Sequence, residues 1–359
     1  MSASIDTGPA RSLKERAREV VTTLPPAYFA MVMATGIVSI AAEQLQMHGL
    51  AVGLFLLNIV IYAVLWGVTI ARGIIATRAL LDDLVSHQRA PGFFTIVAGS
   101  CILASQSAII AGNNSAALLL WIFAIVLWIG LTYTIFSAFT IKDVKPTLDK
   151  GISGAWLLAV VATQSIVVAG ALLAPHLDPA YRVALDFLTL SLWLAAGMLY
   201  IWMISLIFYR YTFFSFSPAD LTPPYWINMG AMAISTLAGA RLIANAASSE
   251  LLGSLLPFIK GFTVLYWATG TWWIPILIIL GIWRHLYKRF PLRYDPLYWG
   301  LVFPLGMYTV GTLQMSRAME LHFLDSLPRY FFFVALVAWA VVFIGLVRQL
   351  GGALPGRSR

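Results

Sequence analysis

Ten neutral hydrogen-bonding side chains recur inside otherwise apolar stretches of this 359-residue chain. They are Thr35 and Ser39, Ser105 and Gln106, Thr163 and Gln164, Asn228 and Ser235, and Thr309 and Thr312. Groups of this kind can replace part of an ion's water shell without trapping the ion, which rapid passage requires. They can equally bond one helix to another or return to their own helix backbone. Each residue taken singly fits either role. Phe303 and Pro304 add a second feature: proline removes a helical hydrogen bond, and the phenylalanine before it can project a ring across an enclosed path. The opposing possibility is that Phe303 packs on lipid or on a neighbouring helix. Gly36 and Gly306 lie near these groups and provide space or a bend.

Charge inside the apolar stretches is sparse. Arg241 and Lys260 are candidates for drawing in anions, since an ionisable residue within a membrane span is a functional candidate by default. Pairing with Glu250 or Asp186, or snorkelling to the interface, would account for them structurally. Glu43 is the best-placed carboxylate for coupling to protons, and an interfacial position fits it equally. Asp82, Asp83, Asp143 and Asp149 read as solvated loop residues. No HExxH, CxxC, P-loop or GxSxG pattern occurs. His48, His87, His176, His285 and His322 fall at loops or helix ends, and Cys101 is alone. The expectation is a non-enzyme with no catalytic residues, no metal and no cofactor.

The elements that must position these groups are membrane spans. Hydrophobic residues make up 60% of the chain and charged residues 11%, against about 25% charged in ordinary soluble domains. Ten stretches are long and apolar enough to cross a bilayer: 26–44, 51–71, 93–111, 116–139, 153–174, 182–209, 225–247, 255–284, 296–315 and 328–349. Ten spans put both termini on one side, and that side then receives eighteen of the 23 basic residues. The bias indicates cytoplasmic termini in a plasma (inner) membrane. It also accounts for the net charge of +8 without a nucleic-acid partner. Residues 1–24 form a basic segment, either an amphipathic surface helix or a flexible tail, with no cleavable signal peptide evident. Residues 25–350 form one transport domain, and 351–359 a cytoplasmic tail.

The odd-numbered spans share a pattern. Each opens on Pro or Gly followed by an aromatic residue: Phe29, Phe94, Trp156, Trp226 and Trp299. Small and polar residues follow, whereas the even spans are almost wholly aliphatic and aromatic. Polar groups in hydrocarbon are costly. The pattern therefore predicts an all-α fold of five helical hairpins, with the odd helices inside and the even helices facing lipid, as a quasi-fivefold barrel around a central pore. Aligning the repeats sets Met33, Ala98, Val160 and Gly230 level with Phe303.

The run from Phe29 through Met31 and Met33 to Thr35-Gly36, taken with Trp299-x-x-x-Phe303-Pro304, resembles the tellurite-resistance/dicarboxylate transporter family over residues 25–350. That family includes a bacterial tellurite-resistance protein, fungal malate permeases and sulfite efflux pumps, and plant slow anion channels. The resemblance implies ten helices around a pore, usually as a homotrimer in the lipid bilayer. It implies a pore-occluding phenylalanine at the position of Phe303, and a small anion substrate such as chloride, nitrate, sulfite or a dicarboxylate. Three functions remain distinct: a passive anion channel or exporter, a proton-coupled dicarboxylate or sulfite carrier, and a membrane enzyme or scaffold that moves no anion.

Overall fold

The computed structural model describes residues 21–353. Most of the N-terminal segment 1–24, and residues 354–359 of the tail, lie outside the described residues. Ten long helices follow in chain order: α1 Ala30–Gln44, α2 His48–Ile75, α3 Phe94–Ile109, α4 Asn114–Ile141, α5 Leu158–Leu173, α6 Pro179–Phe213, α7 Ile227–Asn245, α8 Leu256–Ile282, α9 Trp299–Met319 and α10 Leu327–Ala353. No strand occurs among the described residues. Nine of the ten, with their flanking turns, are long and apolar enough to cross a membrane. The sequence reading counted ten such stretches. The exception is α9, whose apolarity is lowered by Pro304, its glycines, Gln314, Ser316 and Arg317. Its side chains are nonetheless largely buried, so it has little lipid to satisfy.

Each odd helix is preceded by a single 3-10 turn: Pro26–Phe29, Ala90–Phe93, Gly154–Leu157, Pro223–Trp226 and Pro296–Tyr298. Four of these turns carry proline in their first two positions. Proline costs nothing there, because the first amides of a helix lack partners anyway and its fixed φ suits the turn. This explains the recurring Pro-aromatic openings. Two even helices, α4 and α6, begin with side-chain caps: Asn113 Oδ1 accepts from Ala116 N at 2.9 Å, and Asp178 Oδ1 from Ala180 N at 2.8 Å.

The packing order separates two layers. α1 packs on α3, α3 on α5, α5 on α7, α7 on α9, and α9 returns to α1. Each odd helix also packs on the even helix that follows it, giving five hairpins. In four odd spans 78% to 94% of the most apolar window is buried, against 17% to 39% in the five even spans. The exposed large side chains, among them Leu119, Val126, Ile201, Trp272, Val337 and Ile344, belong to the even helices. Glycines let the inner helices approach. A Cβ on Gly230 of α7 would stand 2.6 Å from Pro304 Cγ of α9, and one on Gly306 of α9 would stand 2.7 Å from Ile37 of α1.

Arginines in the last turns of even helices are buried and tied to loops, where a cation favours the negative helix end. Arg72 donates to Leu24 O at 2.9 Å and to Asp83 at 2.6 Å. Asp83 also meets Arg89 at 2.7 Å. Asp83 is therefore not the solvated loop residue expected from sequence: two guanidinium groups hold it inside. Arg210 binds Ile152 O, Tyr225 and Asp220, and Arg284, in the π-helical turn after α8, binds Leu221 O.

Candidate functional site

The five 3-10 turns touch one another in the same cyclic order as the helices they start. They surround a cavity of about 890 Å³, to which every turn contributes residues, including Pro26, Gly92, Ala155, Pro224 and Leu297. Its charged wall residues balance: Arg89, Lys150 and Arg210 against Asp149, Asp220 and Asp295. The five helix N-termini add positive partial charge, roughly half a unit each. This vestibule is thus mildly attractive to anions without binding them through side chains.

A second, much smaller cavity of about 10 Å³ lies further along the inner helices, again with all five contributing. Its wall is mainly aliphatic, with Ile37, Ile102, Val168, Leu237 and Val310, and it also includes Ser105, Gln44 and Arg241. That volume is near the lower limit for one water molecule. Gly300 of α9 lines the vestibule and Val310 lines the small cavity. Phe303 follows Gly300 by three residues and precedes Val310 by seven, so all three share one helix face. Phe303 is 1% exposed and Met33, Ala98 and Val160 are no more exposed than that, so all four side chains are packed away from solvent.

The hydrogen-bonding side chains expected to face a passage are mostly turned to the outer helices. Trp339 Nε1 of α10 donates to Thr35 Oγ1 at 3.0 Å, Trp128 Nε1 of α4 to Thr163 Oγ1 at 2.8 Å, and Trp267 Nε1 of α8 to Thr312 Oγ1 at 3.0 Å. Tyr62 of α2 bonds Ser100 of α3 at 2.8 Å, and Trp193 Nε1 of α6 donates to Ser235 O of α7 at 2.9 Å. Each of these five bonds runs from the outer helix of one hairpin to the inner helix of the next, and Trp339–Thr35 closes the ring from α10 to α1. Ser39 donates to Ala51 O at 2.7 Å, Asn58 to Gln106 at 2.7 Å, Gln164 to Trp193 O at 3.1 Å, and Asn228 to Tyr211 at 3.2 Å. The Ser235 and Thr309 hydroxyls return to their own helix, at Ala231 O and Leu305 O. Gly36 faces Ile102, Asn58 and Gln106. Ser105 also bonds its own helix, at Cys101 O, yet it lines the small cavity. The physical reason is local: a buried indole N–H needs an acceptor, and the nearest ones are on the inner helices. The outer tryptophans are the signal, on helices whose sequence otherwise shows only a lipid-facing surface.

Of the charged candidates, Arg241 lines the small cavity, its Nε buried without a hydrogen-bond partner. Lys260 is on outer helix α8, part-exposed, and lines neither cavity. Neither makes an ion pair among the described residues, so the alternative of pairing with Glu250 or Asp186 is not formed. Asp186 is 1% exposed and neither carboxylate oxygen has a partner. Glu43 meets His48 at 2.8 Å near the surface. No group of three metal-ligating side chains is gathered among the described residues.

Comparison with known proteins decides the family. The voltage-dependent anion channel family matches residues 23–347. The chain belongs to this family. It is a multi-pass membrane protein of a transporter family, as the motifs in α1 and α9 implied. An uncharacterized membrane protein of Mycobacterium tuberculosis is 41% identical over 161 residues, covering 45% of this chain and 80% of that one. An uncharacterized transporter of Methanocaldococcus jannaschii is 24% identical over 91% of this chain and 93% of its own. A sulfite efflux pump of Trichophyton rubrum is 23% identical over 90% of both.

Proposed function

We propose that this member of the anion channel family passes small anions along the axis of a quasi-fivefold, ten-helix barrel, with Phe303 as the gate. The observation that carries the proposal is the placement of Phe303 on one face of α9 between Gly300 at the vestibule and Val310 at the small cavity, within a closed circuit of five helices. Pro304 seats against Gly230 and fixes that stretch of α9 beside α7. Arg241 and Lys260 are read as anion-attracting, Arg241 on the axis and Lys260 from the periphery. The substrate class is small oxyanions or chloride, and the sulfite efflux relatives favour sulfite or a similarly small anion. The basic residues gathered at the vestibule end support cytoplasmic termini in the plasma membrane, and a homotrimer completes the reading.

A proton-coupled carrier is the second reading. Its support is Asp186, a buried carboxylate without partners inside a span, since such groups mark proton relays in transporters.

Flux through purified protein in liposomes separates the two. Chloride, nitrate, sulfite and malate are compared for wild type and Phe303→Ala, with and without a proton gradient. A gate predicts at least about tenfold faster flux in Phe303→Ala, equivalent to about 1.4 kcal/mol off the barrier, with little effect of the gradient. Flux that needs the gradient and does not rise in Phe303→Ala would establish the carrier and remove the gate.

A further inference from the structure

We infer that Arg241, with Gln44 beside it, forms an oxyanion-binding site on the far side of Phe303 from the vestibule. The inference rests on the axial reading of the passage. Arg241 is the charged residue in the wall of the small cavity. Its guanidinium makes no ion pair among the described residues, and its Nε is buried without a hydrogen bond. Arg241 is half-buried, and a guanidinium edge inside a span without an acceptor favours an anion that can supply one. Asp186 does not supply one, since its oxygens are equally unpartnered.

Gln44 is the second donor. It lines the same cavity, and its Oε1 accepts from Gln314 Nε2 at 2.8 Å, so the amide hydrogens of its Nε2 remain to donate. Arg317 donates to Gln44 O at 3.4 Å and adds a second cation at this end.

The field of the fold explains why a cation is needed here. The five inner helices run parallel, from the vestibule toward this end. Their N-termini favour an anion at the vestibule, and their C-termini oppose one here, with partial charges summing to roughly −2.5. An anion crossing the Phe303 level meets that opposing field, and Arg241 offsets it as the one charged residue, among the described residues, in a mainly aliphatic wall.

The side chain also sets the class of anion. One edge of a guanidinium presents Nε–H and Nη–H as parallel donors that fit two oxygens of one group. Nitrate, sulfite or a carboxylate uses both donors, whereas a halide is a single acceptor. The ammonium of lysine keeps the charge and loses the fork.

The test measures binding and flux on the full-length protein. Nitrate and chloride are titrated against purified wild type, Arg241→Lys, Arg241→Gln and Phe303→Ala, with thermal stability read relative to Arg241→Gln. Wild type and Phe303→Ala are expected to prefer nitrate. Arg241→Lys is expected to lose that preference by about tenfold while still responding to chloride, the effect of one charge-assisted hydrogen bond. A nitrate preference unchanged in Arg241→Lys would reduce Arg241 to a neutraliser of helix ends and overturn the oxyanion site, as would a wild type that responds to neither anion. Liposome flux then separates the two levels: Arg241-dependent nitrate binding without flux in either wild type or Phe303→Ala supports the site and refutes the passage.

Discussion

Replacing Thr35 with valine tests which way the polar groups of the inner helices face. The substitution keeps the shape and removes the acceptor for Trp339 Nε1, 3.0 Å away. An unpaired buried donor costs about 1–3 kcal/mol in water-soluble proteins. Within a bilayer, side-chain hydrogen bonds average about 0.6 kcal/mol and reach about 1.7 kcal/mol. Thr35→Val is therefore expected to lower stability by about 0.6–1.7 kcal/mol. Thr163→Val and Thr312→Val strip the acceptors from Trp128 and Trp267 on separate seams, and distant sites add. The triple variant should lose about 2–5 kcal/mol, three times the single-bond range. Unfolding of the purified protein in mixed micelles by a denaturing detergent measures this. Trp339→Phe closes a double-mutant cycle whose coupling energy isolates the one bond from the stacking of Trp339 on Phe343. The same variants are assayed for chloride and nitrate flux, where no change in selectivity is expected. A shift in selectivity of more than about twofold with unaltered stability, under 0.5 kcal/mol and thus within the ordinary surface range, would show that the Thr35 hydroxyl faces the anion and would refute the argument.

Other consequences are as direct. Gly230→Val places a branched side chain where even a Cβ would lie 2.6 Å from Pro304 Cγ; overpacking of this kind costs about 1–3 kcal/mol, so a lower unfolding midpoint is expected, together with altered flux in the background of Phe303→Ala because the added bulk displaces α9 from α7. His87, at the loop before α3, is stacked on Phe139, and its burial, with Lys142 and Lys145 nearby, holds its pKa below the ordinary value. The folded protein then resists a proton that the unfolded chain accepts. Its contribution is present above about pH 6.5 and is lost as pH falls below it toward the folded value. His87→Gln should flatten that acid limb in a melting-temperature series.

The spans and their starts were legible because lipid leaves few choices. A helix must satisfy its own backbone, and Pro26, Pro91, Pro223 and Pro296 mark where four inner helices begin. The division into inner and outer helices was legible for the same reason, since Thr35, Gln164 and Asn228 cannot face lipid. The direction those groups do face was not legible. A hydroxyl on an inner helix has two dry sides, the axis and the outer layer, and periodicity alone does not choose between them. The choice is made by partners remote in sequence: Trp339 lies 304 positions from Thr35. Asp83 was misread for a similar reason. Its partners Arg72 and Arg89 flank it in sequence, yet only the folded loop shows that both converge on it.

The seams bear on how a plug at Phe303 would clear the axis. Two motions are available: separation of the inner helices, or rotation of one ring. Separation must open the seams between hairpins, each tied by an aromatic hydrogen bond from outer to inner helix. Breaking all five would cost about 3–8 kcal/mol by the bilayer range, before any loss of packing. Holding a side chain about 30° off its rotamer costs only about 0.5–1.5 kcal/mol, and of the residues at its level Ala98 is small, while Gly230 is filled by Pro304. Rotation is therefore the expected motion. The Thr35, Thr163 and Thr312 triple variant separates the alternatives, because it loosens three seams and leaves Phe303 intact. If helices part to open the path, that variant should conduct faster than wild type. If the ring turns, it should melt earlier and conduct at the wild-type rate.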